Sequence, residues 1–536
     1  MNGAIIGLLL GNSLTRLIFL PALACLPLLL FKRSQLAGVK VYALCVGIVE
    51  VLVTLTLILP NLDPARGFIR LQDLDSAGEP FSWIEMLGIR YDVAMDGISM
   101  PLVLLTVILL PIVVAASWNG VQEHWRAYAM SLFILTTGIL GALVAMDLFL
   151  FYVFWEVMLI PMYMIIGIWG GPRRIYAAVK FFLFTMAGSL LMLIAIIWMA
   201  WTYRELSGYW SFAYEDLLRL NLPMEPQMWL FGAFALAFAI KVPMVPLHTW
   251  LPDAHVEAPT GGSVVLAGVL LKLGTYGFLR FALPFFPHAS VAAAPLLIAL
   301  ALVGIIYGSL VAWVQSDMKK LVAYSSVAHL GFVMLGIFAL DLVAWQGALI
   351  QMVNHGLSTG ALFLLVGMLY ERRHTRAFDE FGGLAKPMPF FAFFLVFATL
   401  ASMGLPALNG FVGEFLILTG TYRAGLPWAA IVGSFGVVLA AVYLLKMLAR
   451  TLWGPITRDE NRELPDLSLR EIAILVPLSL LMLAIGLVPE AFLAPSRPAL
   501  QQTLSRIESK LANAPVAPTQ LITTAPSGQP RVRVRR

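Results

Sequence analysis

Eight ionisable residues lie inside long apolar stretches of this chain: Glu156, Lys180, Lys241, Lys272, His329, His355, Glu414 and Lys446. A charge buried in an apolar medium is costly, and in a membrane segment it marks an ion or proton pathway by default. Burial disfavours the charged form of a lysine, and a nearby carboxylate restores it. Histidine changes charge near neutral pH. The set can therefore hold and pass protons. If Glu156 approaches Lys241, the lysine keeps its proton; on separation it can release it to Lys272. His329 and His355 then relay, and Glu414 accepts last, with Tyr324, Ser325, Ser326 and water filling gaps. Lys446 and Lys180 also fit lysines snorkelling to a helix end.

The spacing of these residues repeats. Glu156 to His329 is 173 positions, Lys180 to His355 is 175, Lys241 to Glu414 is 173 and Lys272 to Lys446 is 174. The chain around two of them also looks broken. In AFAIKVPMVPLHTW, Pro243 and Pro246 have no amide to donate to Ala239 and Val242, which opens a helix just after Lys241. In GLPALNGFVGE, Gly404, Pro406, Gly410 and Gly413 precede Glu414. Broken membrane helices are tolerated beside protein or water, and their ends steer ions.

The elements that carry these residues follow from composition. Of 536 residues, 60% are hydrophobic and 12% charged, and the mean hydropathy is +0.87. No soluble core buries that much apolar surface, so the chain reads as an all-α polytopic membrane protein. A secreted enzyme, a cytosolic domain and a transmembrane β-barrel are excluded. About 20 apolar residues cross a bilayer. Fourteen stretches qualify, near 10–31, 39–60, 93–117, 127–146, 147–169, 178–202, 228–250, 261–285, 292–314, 321–340, 344–370, 388–419, 427–450 and 472–494. The first reads as a retained helix, not a cleaved signal.

On this count the repeated pairs link spans five and ten, six and eleven, seven and twelve, and eight and thirteen. A five-helix unit (spans 4–8) thus recurs as spans 9–13. Five is odd, so the second copy is inverted, the arrangement of ion-coupled transporters. The chain divides into N-terminal helices (1–126), a first repeat (127–285), a second (292–450), a loop with the last span (451–494) and a tail (495–536). With the N-terminus outside, inner loops hold sixteen Lys/Arg and outer loops six, which places both termini outside. Arg33, Arg66 and Arg70 belong to this tally.

The net charge of +5 comes from the tail, whose seven Lys/Arg face one Glu. It does not signal nucleic acid. Rich in Pro, Ala, Gln, Ser and Thr, the tail reads as disordered beyond a short helix at 498–512. Cys25 and Cys45 are too few for an iron–sulfur cluster and read as core fillers. His248, His255 and Glu257 can be drawn as a metal site, but a solvated turn explains them better. Trp118, Trp125 and Trp250 read as an interfacial belt. His329 and His355 can in principle clamp a haem, although Lys and Glu neighbours favour ion transfer.

Several long motifs occur in order: FYVFWEVMLIPMYMIIGIWGG (151–171), AIKVPMVPLHTWLPDAHVEAPTGGSVVLAGVLLKLGTYG (239–277), SDMKKLVAYSSVAHLGFVMLG and NHGLSTGALFLLVGMLYERRHTR. Over about residues 90–450 the chain resembles the antiporter-like membrane subunits of respiratory complex I. The branch it is most similar to is subunit M, the counterpart of mitochondrial chain 4. Sister subunits L and N and sodium/proton antiporter subunits carry Lys where this chain has Glu414, and subunit L continues into a lateral helix. VAMDGISMPL (93–102) resembles the start of the family's third helix, with Asp96 at the matching place.

The resemblance implies a proton-translocating subunit of an NADH:quinone oxidoreductase in a bacterial inner membrane. Glu156 and Lys241 would be its charge pair, Lys272, His329 and His355 its central axis, and Glu414 its exit group. It implies no cofactor or metal on this chain; flavin, iron–sulfur clusters and quinone belong to partner subunits. The partners would be the other membrane-arm subunits, including sister antiporter-like chains, and the lipid bilayer. The alternatives are a subunit of a multisubunit sodium/proton antiporter and a related redox pump such as a membrane hydrogenase.

Overall fold

The computed structural model describes residues 13–32, 35–59, 80–512, 519–524 and 530–533. Residues 10–12 of the first expected span, most of the loop expected at 61–92, and Arg33, Arg66 and Arg70 lie outside the described residues. Among the described residues, eleven helices are long and apolar enough to cross a membrane. The other three stretches expected to span hold shorter pieces: Leu14–Leu28, Met224–Lys241 followed by Trp250–Glu257, and Pro389–Ser402 followed by Asn409–Arg423.

The helices begin where the chain supplies a cap. Asp147, Asp317 and Asp341 each accept two amide hydrogens from the turn they precede, and Ser468 with Glu471 forms a capping box. These bonds satisfy amides that a first turn leaves without partners. Asp147 and Asp317 are further alike. Each forms an isolated bridge to an alanine, Ala213 and Ala377 respectively.

Burial sorts the helices into two classes. Thr260–Phe285, Met318–Phe338 and Leu342–Arg373 are 94% buried along their apolar windows, whereas Leu36–Thr56, Pro427–Leu452 and Leu469–Leu487 are 33% buried. The first three form the middle of the bundle and the last three its lipid-facing margin. Polar side chains on the central three therefore cannot snorkel. Glycines let these helices meet closely: a Cβ on Gly420 would sit 2.2 Å from Ala344 N, and one on Gly347 2.6 Å from Ile417 N.

Both expected breaks are present. Helix Met224–Lys241 stops at Lys241, and helix resumes at Trp250. Met244 N–H donates to Ala239 O in place of Pro243, and Trp250 Nε1 donates to Ile240 O (2.9 Å), a carbonyl left free where the helix ends. Pro389–Ser402 stops before 403–408, and Asn409–Arg423 takes over. There Gly404 adopts φ +78°, a left-handed conformation that suits glycine. Helix Thr260–Phe285 holds a feature not expected from sequence. It contains two π-turns, Leu266–Leu270 and Phe278–Ala282, with Lys272 between them.

The short helix expected at 498–512 is present, and the tail beyond it departs from the expected disorder. Arg497–Ala512 is helical, with Ala499, Leu500, Thr503 and Ile507 buried. Gln520–Thr524 pairs antiparallel with Leu220–Asn221 and with Pro530–Arg533. Composition hid the cause: RVRV alternates with the period of a strand, and three of the four residues of LITT are β-branched. A second hairpin joins Phe81–Ile84 to Ile89–Tyr91.

Candidate proton-transfer site

Lys272 is fully buried between its two π-turns. A π-turn displaces one carbonyl from the helical ladder. Lys272 Nζ donates to Ala267 O, five residues back, and lies 2.6 Å from His355 Nδ1. The His355 ring centroid is 5.9 Å from that of His329. His329 Nδ1 lies 2.9 Å from Glu414 Oε1. Four of the eight sequence candidates thus make one row across three central helices and the second half of a broken one. All four are buried.

Other polar side chains hold this row. Gln351 Nε2 donates to Glu414 Oε1 (3.1 Å), and Asn354 Nδ2 donates to Gln351 Oε1 (3.2 Å) and to Asn409 O (2.7 Å). The last bond ties helix Leu342–Arg373 to the first residue after the break. Tyr443 O–H lies 3.4 Å from His329 Nε2. Sequence reading missed Gln351, Asn354, Asn409 and Tyr443, because an uncharged polar residue in an apolar run carries little signal by itself.

The second group is separate in character. Lys241 is buried at the end of its half-helix, with Nζ over the Trp155 ring at 4.9 Å and the Phe181 ring at 5.9 Å. Its Nζ has no hydrogen-bond partner, and neither has Glu156 Oε1. Glu156 is close enough for its charge to act on Lys241. The two are therefore neighbours that are not in contact. The ring face of Trp155 stabilises the ammonium, a role that sequence reading did not assign.

Lys180 and Lys446 lie outside the row. Lys180 Nζ donates to Asp253 Oδ2 (2.7 Å), and neither side chain is fully buried. Lys446 Nζ donates to Trp313 O (2.5 Å) near the end of Pro287–Val314. That is a cation at a helix C-terminus, where the dipole favours it. The physical reason is position: both lysines sit close enough to a helix end to reach a polar partner there.

Three minor expectations change. His255 is not in a solvated turn: it is fully buried and stacks on Phe363 at 4.6 Å. Trp125 and Trp250 are buried, not interfacial. Cys25 is buried, but Cys45 faces outward. Among the described residues, no group of three His, Cys, Asp or Glu side chains is arranged to hold a metal.

Two buried acids add to the inventory. Asp96 receives Arg280 Nη2 at 2.5 Å, with both side chains almost fully enclosed. Glu50 lies on the buried stripe of helix Leu36–Val53, and neither carboxyl oxygen has a partner. Sequence reading noted Asp96 and missed Arg280 and Glu50.

Comparison with known proteins agrees with this architecture. Residues 145–440 match the family described as NADH:quinone oxidoreductase/Mrp antiporter, transmembrane. Residues 80–146 match the amino terminus of NADH-ubiquinone oxidoreductase chain 4. NADH-quinone oxidoreductase subunit M of Pseudomonas aeruginosa is 45% identical over 439 residues, 80% of this chain and 86% of that protein. A chain of respiratory complex I from Thermus thermophilus superposes with a TM-score of 0.81 at 33% identity, covering 92% of this chain and 99% of that one. A chain of the Mrp complex from Dietzia shares the fold, with a TM-score of 0.76 at 20% identity over 94% and 99% of the two chains. With both family matches and these identities in agreement, the chain belongs to the NADH:quinone oxidoreductase/Mrp antiporter family of transmembrane subunits, on its subunit M branch.

Proposed function

We propose that this chain is a proton-translocating membrane subunit of an NADH:quinone oxidoreductase. The observation that carries the reading is the row Lys272–His355–His329–Glu414, in which ionisable groups follow one another at 2.6 Å, 5.9 Å between rings, and 2.9 Å. Such groups are costly in a bilayer unless they serve transfer. A proton held by Lys241 is passed to Lys272, then through His355 and His329 to Glu414. Lys241 sits at the end of a broken half-helix, where the charge of Glu156 acts on it without a hydrogen bond. Movement at that break sets how firmly Glu156 retains the proton on Lys241. Lys180 and Lys446 serve as flanking charges.

The chain itself contributes no redox step. Partner subunits of the membrane arm supply the driving force, and flavin, iron–sulfur clusters and quinone reside in partners. Fourteen spans, arranged as two inverted five-helix units at 127–285 and 292–450, account for the paired spacing. The matching bridges of Asp147 and Asp317 support that arrangement. Both termini face outward from a bacterial inner membrane. The antiporter alternative is the weaker one, since the Mrp chain shares the fold at 20% identity against 45% for a subunit M.

The test uses the intact oxidoreductase in proteoliposomes. Lys241→Ala and Glu156→Gln are each expected to lower NADH-driven proton uptake by about 100-fold, the scale of removing a positioned acid or base. Wild-type pumping in both variants overturns the proposal.

A further inference from the structure

We propose that protons enter the central row from the inner face of the chain, through Lys319 and then His255 to Lys272. The inference rests on the proton-translocation reading and adds its uptake step.

A cavity of about 600 Å³ opens among loops that the proposed orientation places on the inner face. Asn119, Gln122 and His374 stand exposed at its rim, and Ala258, Thr260 and Lys319 line it. Lys272 lies twelve residues beyond Thr260 on the same helix, about 18 Å by axial rise. Uptake from the cavity therefore needs groups that bridge this depth.

Lys319 is the first of them. Its side chain is buried, and Nζ donates to Ala258 O (2.5 Å), the carbonyl just past the end of helix Trp250–Glu257. The ammonium sits at a helix C-terminus, where the dipole favours it. By itself that is a structural cap. The second group is His255, three residues back on the same helix, about 4.5 Å along its axis. His255 is fully enclosed, and neither ring nitrogen has a hydrogen-bond partner. Among the described residues, no other histidine has both ring nitrogens buried and unpartnered. A histidine kept only for packing on Phe363 would be expected to bond through at least one of them.

The surroundings of His255 give its nitrogens a use. It lies within range of the charges of both Lys319 and Lys272. Its own charge acts on His355, the group bonded to Lys272. An imidazole accepts a proton on one nitrogen and releases the proton held on the other. Placed between the two lysines, His255 takes a proton from Lys319 and gives one to Lys272, while Lys319 regains its own from water in the cavity. The same path returns a proton to Lys241 by way of Lys272. Lys241 itself is closed in by the rings of Trp155 and Phe181, with Nζ unpartnered.

The intact oxidoreductase in proteoliposomes tests this, with the NADH-oxidising arm and hence the inner face toward the medium. His255→Ala is expected to lower NADH-driven proton pumping about 100-fold, and Lys319→Met to lower it as well. Imidazole added to the medium is expected to restore pumping at least tenfold in His255→Ala and to leave Lys319→Met unchanged. Pyrazole, a ring of the same size that stays unprotonated at neutral pH, is expected to restore neither. Wild-type pumping in His255→Ala overturns the inference. So does a loss that imidazole does not reverse, or one that pyrazole reverses equally, since either result assigns His255 to packing. Failure of the underlying reading is distinct: it appears as unchanged pumping in Lys241→Ala and Glu156→Gln.

Discussion

His329 touches Glu414 through one ring nitrogen and Tyr443 through the other, so it can be asked whether its bonds or its proton matter. Glutamine keeps a donor for Glu414 but cannot carry a proton at neutral pH. His329→Gln is therefore expected to leave the complex assembled and electron transfer intact when uncoupled, while proton pumping falls about 100-fold. A pumping rate equal to wild type, read from a pH-sensitive dye in proteoliposomes, contradicts a relay role. The same logic explains what sequence reading could find. A lysine, histidine or glutamate in an apolar run stands out by its cost, which made Lys272, His329, His355 and Glu414 visible. Gln351 and Asn354 carry no charge and cost less to bury, so only their contacts identify them. Glu50 is as costly as Glu414 and, at the middle of the second expected span, was within reach of the same rule, yet the sequence reading passed over it.

The helix Thr260–Phe285 does two jobs, and they meet the sequence differently. Its first half presents Lys272 through a π-turn that releases Ala267 O. The apolar pattern on either side is continuous, so nothing in the sequence announces the extra residue per turn. The breaks at Lys241 and Ser402, by contrast, were legible, because proline removes a donor and glycine admits φ +78°. The second half of this helix holds Arg280 against Asp96, which precedes helix Met100–Gly120. Sequence reading marked Asp96 only by its place in a motif; the structure pairs it with a buried arginine and thus ties two distant helices. Removing one partner of a buried ion pair leaves the other uncompensated and costs about 3–5 kcal/mol. Arg280→Met is expected to lower the thermal stability of the assembled subunit by that amount. Replacing both partners by apolar residues should recover much of it. Equal melting of wild type and Arg280→Met in detergent would show that the pair is not structural.

At the scale of the whole molecule, the chain closes on itself through its tail. Helix Arg497–Ala512 buries Ala499, Leu500, Thr503 and Ile507. It is pinned where Arg506 Nη1 meets Glu215 Oε1 (3.3 Å) and Lys510 Nζ donates to Pro284 O (3.0 Å). A short helix was expected here at 498–512, and its buried positions 499, 500, 503 and 507 follow the spacing of one helix face. The docking carries its own pH dependence. Burial, with the nearby Arg506 charge, lowers the Lys510 ammonium from its ordinary 10.5 to about 7. Between these values the free helix holds a proton that the docked helix has lost. The undocked form binds more protons, so docking strengthens as pH rises from about 7 toward 10. Below 7 both forms are charged, and the slope disappears. Lys510→Met removes the titration while keeping an apolar stem against Pro284. Protease cleavage within 497–512 is therefore expected to slow with rising pH in the wild-type chain, after correction for the protease's own pH profile. In Lys510→Met it should remain flat. Identical slopes in the two chains would mean that the ammonium is solvated when the helix is docked, and that the apolar face alone holds the tail in place.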